Sequence, residues 1–410
     1  MMFYIAFTII TSEWRSEIQR SVNTSDSSFV ARATDALYNC ETVKMNSAED
    51  HETVRCSSAF SQFRMSKVTM YKSLIVLHIG QESLVTLGNF LCLGLLAYEV
   101  IEGKKLIGDF VMMQGFLTLL YSPLKTMGTY YETIKQALID SEGIMNLLDF
   151  EEEIKEDKNS IVMGNCIGKV EFRNVEFRYC QNLPWVTSNV GFVVSPGGSL
   201  GVVGQTGSGK STLSKLLYRL YDPTAGAILV DDYDIRLIKL SSLHSQIAIV
   251  PQDCALFNDT IAYNIGYACT SDINQIHWAA FKSQIHDFII SLPQGYNTIV
   301  GEKGLRLSGG EKQRIAIARA LIRKPKILCF DEATSSLDSI TEDQIHLSIQ
   351  EISRNFTSII IAHRLSSIVN CDQIIVMDSG LVIERGKHEE LVEAGGKYSE
   401  LWKQQLERIN

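Results

Sequence analysis

Eight residues near the middle of the chain constrain its fold more than any other feature. The segment Gly204-Gln-Thr-Gly-Ser-Gly209-Lys210-Ser211 fits G-x-x-x-x-G-K-[ST], with a short apolar strand pattern, SLGVVG, running into it and a helical pattern over 212–220 after it. Such a loop needs a strand to deliver it and a helix to leave it. Gly204, Gly207 and Gly209 let backbone N–H groups turn inward on phosphate oxygens, and the helix start adds partial positive charge. Lys210 is placed to reach the β and γ phosphates of ATP, Ser211 to ligate Mg2+, and Thr212 follows as a further phosphate-side residue. A chance glycine loop would not bring strand, lysine, serine and helix in that order.

A second apolar strand pattern, ILCF at 327–330, ends in Asp331-Glu332. A parallel sheet gathers its strand ends along one edge, which sets both carboxylates beside the phosphate loop. Asp331 is then assigned to the Mg2+ shell, and Glu332 to orienting and deprotonating the attacking water. Upstream, Val170, Phe172, Val175 and Phe177 alternate as a strand. Residues 168–410 therefore read as an α/β P-loop nucleoside triphosphatase.

The first part of the chain obeys different rules. Pro123 is the single proline in the first 183 residues, whereas six follow, so long uninterrupted helices belong to the first part. Two stretches are candidates for crossing a membrane: 73–98, whose one formal charge is Glu82, and 106–124, whose one interior charge is Asp109. A pair of buried helices in a soluble bundle is the alternative. Glu82 fits a membrane pathway, or equally a helix end beside water. Residues 1–10 are apolar but too short to span, lack a basic leader, and read as the end of something longer. Between them and Lys72, polar residues with helical periodicity (Phe29, Ala33, Ala36, Leu37, Cys40) suggest two long amphipathic helices meeting at a Ser-rich turn around residues 23–28. An acidic linker is expected at 151–167, after a first domain at 1–150.

Charge and cysteine usage narrow the function classes. The 38 basic and 47 acidic residues leave −9, and 14 basic against 21 acidic residues precede residue 160, so neither part carries the basic footprint of a nucleic-acid binder. Nine cysteines without a C-x-x-C pair fit free thiols facing a reducing compartment, and argue against a disulfide framework or a zinc site.

Leu307-Ser308-Gly309-Gly310-Glu311-Lys312-Gln313-Arg314, just ahead of the Asp-Glu strand, resembles the signature sequence of ATP-binding cassette (ABC) proteins. Gln252 in IVPQD, the run Ser335-Ser336-Leu337-Asp338, His363 in IIIAHR and Tyr179 match further motifs of that family, in order. The resemblance implies that Tyr179 stacks on adenine, that Gln252 joins the metal site and couples to membrane helices, and that His363 contacts the γ phosphate. It also implies a head-to-tail dimer in which Ser308, Gly309, Gly310 and Asp338 help complete the partner's ATP site.

The first region is similar, more loosely, to the membrane half of subfamily B half-transporters of the mitochondrial and heavy-metal-tolerance group. SEWRSEIQRSVNTSD, ARATDALYNCETVK, GDFVMMQGFLTLLYSPL and GTYYETIKQALID carry that likeness. It implies a partial all-α transmembrane domain with long cytoplasmic helices, in which 73–98 and 106–124 are the fifth and sixth of six membrane helices. A turn around residues 23–28 would be the coupling segment. The expected protein is an ATP-hydrolysing half-transporter subunit that pairs as a homodimer or heterodimer with another half-transporter. It would export a small organic or metal-conjugated solute across a mitochondrial inner or vacuolar/lysosomal membrane. Because that family has six helices per half, the chain is expected to be a truncated gene product. The alternatives are a regulatory cassette lacking a complete membrane pathway, and a soluble cassette ATPase of the repair or translation type.

Overall fold

The computed structural model describes residues 2–157, 159–267, 269, 272–301, 304, 307–331, 356–362 and 364–409. Two compact units divide the chain, Met1–Glu151 and Glu152–Asn410.

The first unit is helical: α1 (Met2–Tyr38), α2 (Cys40–Met45), α3 (Glu49–Ile101) and α4 (Ile107–Leu148). α1 and α3 pack along much of their length, and close approach is possible because Gly80 has no side chain. A Cβ there would collide with the Phe7 ring. Polar pairs fix the register, with Arg15 Nε donating to Ser73 Oγ at 3.2 Å and Gln81 Nε2 to Thr8 Oγ1 at 3.0 Å. α4 is tied to α1 by charge: Arg20 makes a forked pair with Glu142 at 2.5 and 3.0 Å, and Lys135 reaches Glu13 at 2.6 Å. Among the described residues, one helix, α3, is long and apolar enough to cross a membrane by length and composition. Glu82 lies well inside this helix, so it is not a helix-end residue.

The expected turn at residues 23–28 is absent, and α1 runs through it unbroken. The hydroxyls that suggested a turn are satisfied by the helix itself. Thr24 Oγ1 donates to Arg20 O at 2.9 Å and Ser25 Oγ to Ser21 O at 2.8 Å, the back-bonding that lets Ser and Thr sit inside helices. The chain reverses later, between Asn39 and Ala48, where Asn39 and Asn46 cap carbonyls at Asp35 and Thr42 and Ser47 adopts φ 50°. The apolar face inferred from periodicity is only partly covered. Phe29 packs with Phe60 and Phe63 of α3, whereas Leu37 and Cys40 stay exposed.

In the second unit the six-stranded sheet, counted among the described residues, has the order β10-β9-β3-β8-β7-β6. These strands are β3 (Ser199–Gly204), β6 (Ile247–Val250), β7 (Ile327–Asp331), β8 (Thr357–Ile361), β9 (Gln373–Asp378) and β10 (Leu381–Gly386). All neighbours are parallel except the β9–β10 hairpin. Alternate residues feed two cores. Leu200, Val202, Ile327, Cys329, Ile359 and Ile361 face one, while Val203, Leu328, Phe330 and Ile360 face the other. A sheet covered on both faces explains why β7 as far as Phe330, and all of β8, are apolar or small rather than alternating with charge.

A smaller antiparallel sheet, β1 (Val170–Phe177), β2 (Thr187–Val194), β4 (Ala225–Val230) and β5 (Tyr233–Asp234), packs its Phe172, Phe192 and Ile228 on the first core. α5 (Lys210–Leu217) shares that core through Leu213, Leu216 and Leu217, each fully buried side chain stabilising by roughly 1.5–3 kcal/mol. A separate helical cluster gathers α7 (Ile261–Gly266), α8 (Ile273–Lys282), α9 (His286–Ser291) and part of α10 (Gly309–Leu321). α6 (Leu240–Gln246) precedes β6. The acidic stretch expected as a linker lies along this unit: Ile161 exchanges backbone bonds with Leu237 and Lys239, and Glu156 accepts from Leu240 N at 2.7 Å. The cysteines are all free thiols.

Candidate nucleotide site

The phosphate loop leaves β3 and enters α5 as the sequence predicted, and the three glycines do different work. Gly207 and Gly209 have φ 84° and 93°, the left-handed region that favours glycine. A Cβ on Gly209 would also stand 2.6 Å from Val186 O, and one on Gly204 would strike Met377 O on β9. Lys210, 4% exposed, donates from Nζ to Gly204 O and Gln205 O, both at 2.9 Å. The ammonium thus stiffens the loop from within. Ser208 is 3% exposed, and its Oγ has no hydrogen-bond partner among the described residues. A phosphate oxygen would satisfy it.

The aspartate comes to this loop from two strands away. β8 lies between β3 and β7, yet Asp331, at the end of β7, accepts from Ser211 Oγ at 2.8 Å through Oδ1 and from Ser214 Oγ at 3.2 Å through Oδ2. A hydroxyl beside a carboxylate is a hard oxygen donor set that suits Mg2+. Cys329, two residues earlier, is fully buried, and burial pushes its thiol pKa upward, so it packs rather than reacts. Tyr179 follows β1 and brings its hydroxyl 3.3 Å from Thr212 Oγ1, edge-on to Phe177 and Tyr221 and 38% exposed. Val250, the last residue of β6, pairs with Phe330, so Gln252 emerges at the same sheet edge as Asp331.

Ser308 is the N-cap of α10. Its backbone N–H donates to Glu311 Oε2 at 2.7 Å, and Glu311 N returns a bond to its Oγ at 3.4 Å. In this arrangement the hydroxyl accepts and keeps its own proton to donate. Ser308 and Gly309 are exposed at this helix start, and Gly310 is buried. Glu332, Asp338 and His363 lie outside the described residues.

Sequence reasoning missed two groups. Ser214, one turn beyond Ser211, carries no motif. Arg319 on α10 left a faint signal, a cation inside the apolar run IAIARAL. It donates to Asn264 O and Asn264 Oδ1 at 2.8 Å and to Ala255 O at 3.1 Å, beneath the rings of Phe257 and Tyr267. Asn264, fully buried on α7, in turn holds Phe257 N and O. The segment that follows Gln252 is thereby clamped to the helix that begins at Ser308.

A glycine loop facing an aspartate across an intervening strand, with a separate helical cluster beside the sheet, defines a P-loop nucleotide-binding domain of the ATP-binding cassette type. The pattern described as "ABC transporter" matches residues 187–335, and that of the "ABC transporter transmembrane region" matches residues 1–124. The chain belongs to the ABC transporter family. It is 44% identical over 406 residues to the ATP-binding cassette sub-family B member 6 of Mus musculus, covering 99% of this chain and 48% of that protein. It is 40% identical to heavy metal tolerance factor 1 of Caenorhabditis elegans, covering 99% and 51%. A solved bacterial Atm1-family ABC exporter with ATP bound superimposes with TM-score 0.93 at 41% identity, covering 98% of this chain and 71% of that one. The chain spans about half the length of the curated relatives it matches.

Proposed function

We propose that this chain is the ATP-hydrolysing part of a half-transporter that exports an organic or metal-conjugated solute, working as a homodimer or heterodimer. The observation that carries this reading is the Ser211–Asp331 pair set against the Lys210 loop, a hydroxyl and a carboxylate placed for a cation beside a phosphate cradle. Ser211 and Asp331, with Gln252 at the same edge, would hold Mg2+, which would supply positive charge against the charge that develops on the phosphates. The glycine loop and the start of α5 orient the phosphates, Tyr179 stacks on the base, and Glu332 takes the proton from the attacking water while His363 contacts the γ phosphate. Ser308, Gly309 and Gly310 act on the far side of the nucleotide held by the partner, with Asp338 between the two sites. Opening after hydrolysis passes through the Gln252 segment to residues 73–98 and 106–124, which span the membrane.

A cavity of about 560 Å3 lies among α1, α3 and α4, and its described lining includes Arg15, Lys67, Asp140 and Lys135, the last ion-paired with Glu13. The resemblance of the first region to half-transporters of the mitochondrial and heavy-metal-tolerance group supports a mitochondrial inner or vacuolar/lysosomal membrane, and the free thiols support a reducing compartment for the cassette. Phosphate release by the purified protein, compared between wild type and Glu332→Gln, tests the reading. The variant should bind ATP with unchanged affinity and lose at least about 100-fold in turnover. Equal turnover removes the assigned base, and a wild type that neither binds nor hydrolyses ATP removes the enzyme reading.

A further inference from the structure

We infer that Ser214 is a positioning residue for the cation site, holding the second oxygen of Asp331 so that the first stays turned toward Ser211. The inference rests on the reading above of Ser211 and Asp331 as the Mg2+ holders. Ser214 is 3% exposed and lies three residues beyond Ser211 on the same face of α5. Its Oγ is 3.2 Å from Asp331 Oδ2 and 2.8 Å from Ser211 O, so one hydroxyl proton serves both acceptors in a three-centre arrangement. Asp331 is itself 8% exposed, and its two oxygens are divided between the two serines. The neighbours of Ser214 on the helix, Leu213, Leu216 and Leu217, are buried apolar side chains. Packing alone would be served by another apolar residue at this position. A hydroxyl is tolerated there because it is bonded, and the bond it makes fixes the rotation of a carboxylate whose other anchor among the described residues is Ser211.

Groups that orient a metal-binding carboxylate from behind typically change metal affinity by about 10–100-fold when removed. The test is a Mg2+ titration of the fluorescence of bound trinitrophenyl-ATP in the purified protein, alongside Mn2+ binding followed by electron paramagnetic resonance. Ser214→Ala should raise the half-saturating Mg2+ and Mn2+ concentrations about 10-fold while leaving Mg2+-free nucleotide affinity within about 2-fold of wild type. Ser214→Thr keeps the hydroxyl and should titrate within about 2-fold of wild type. A packing role gives the opposite order, because threonine adds a methyl group to a buried site whereas alanine is the better helix former. Wild-type titration by Ser214→Ala, or a threonine variant as weak as the alanine one, overturns the inference. Failure of wild type to bind nucleotide at all falls instead on the functional reading.

Discussion

Replacing Arg319 on α10 with methionine should destabilise the cassette. The guanidinium makes three hydrogen bonds to oxygens of Ala255 and Asn264 and lies 5.9 Å from the ring centroids of both Phe257 and Tyr267. Burial lowers its pKa from the ordinary arginine value, and among the described residues no carboxylate pairs with it. The charge is therefore held by carbonyl dipoles and ring faces. Hydrogen bonds from a charged donor contribute about 1.5–3 kcal/mol each, and the ring contacts about 0.5–1 kcal/mol. Methionine keeps the packing of the aliphatic stem and costs about as much to order as arginine, so the lower ends of these figures give a net loss of about 5 kcal/mol. For a domain of this size each kcal/mol lowers the melting temperature by about 2–4 °C, so a drop of roughly 10 °C is expected. Intrinsic tryptophan fluorescence during heating reads it, since Trp278 on α8 and Trp402 lie in this unit. Arg319→Lys, which keeps one charge and cannot span three acceptors, should fall between. A methionine variant melting within about 2 °C of wild type would refute the argument that the clamp stabilises the fold.

Other consequences are more local. Gly209→Ala places a Cβ 2.6 Å from Val186 O at φ 93°, so ATP binding should weaken by at least about 10-fold, as titration with a fluorescent nucleotide would show. His244 stacks on Tyr218 at 4.0 Å with Nε2 2.8 Å from Tyr218 O, and burial holds its pKa below the ordinary 6.5. The unfolded chain then takes up the proton more readily, so this contribution to stability is full above about pH 6.5 and is lost as pH falls toward the folded-state pKa. Denaturation midpoints compared at pH 7.5 and 5.5 should show a decline that His244→Gln flattens; an equal decline in both would point to other groups. If α3 crosses a membrane, alkaline carbonate should leave the chain in the membrane pellet, and its release to the aqueous phase would place these helices in a soluble body.

Legibility in the sequence followed how local the determinant was. The phosphate loop was readable because its chemistry, glycines at positive φ followed by Lys210 and Ser211, is written in eight consecutive residues, and β3 and α5 carry clean patterns on either side. Ser308 was singled out by the family resemblance alone, although Glu311 three residues on spells a capping box whose reciprocal bonds form within one turn. The stretch at 23–28 misled because serine and threonine mark turns only when their hydroxyls compete with the helix, and here they bond to carbonyls four residues back. Nothing local to that stretch distinguishes the two outcomes. α3 decides between them, since Ser25 meets Ser66 at 3.2 Å and the paired helices hold each other straight. Ser214 and Arg319 were hidden by distance rather than ambiguity. Their partners are 117 and 55 residues away, so their roles exist only after the sheet order β3-β8-β7 has brought Asp331 to α5 and after α10 has packed on α7. A motif names the groups that must touch a nucleotide, whereas the groups that aim them are chosen by the fold. For that reason the second kind gives the sharper test of whether the assembled geometry, and not the motif alone, does the work.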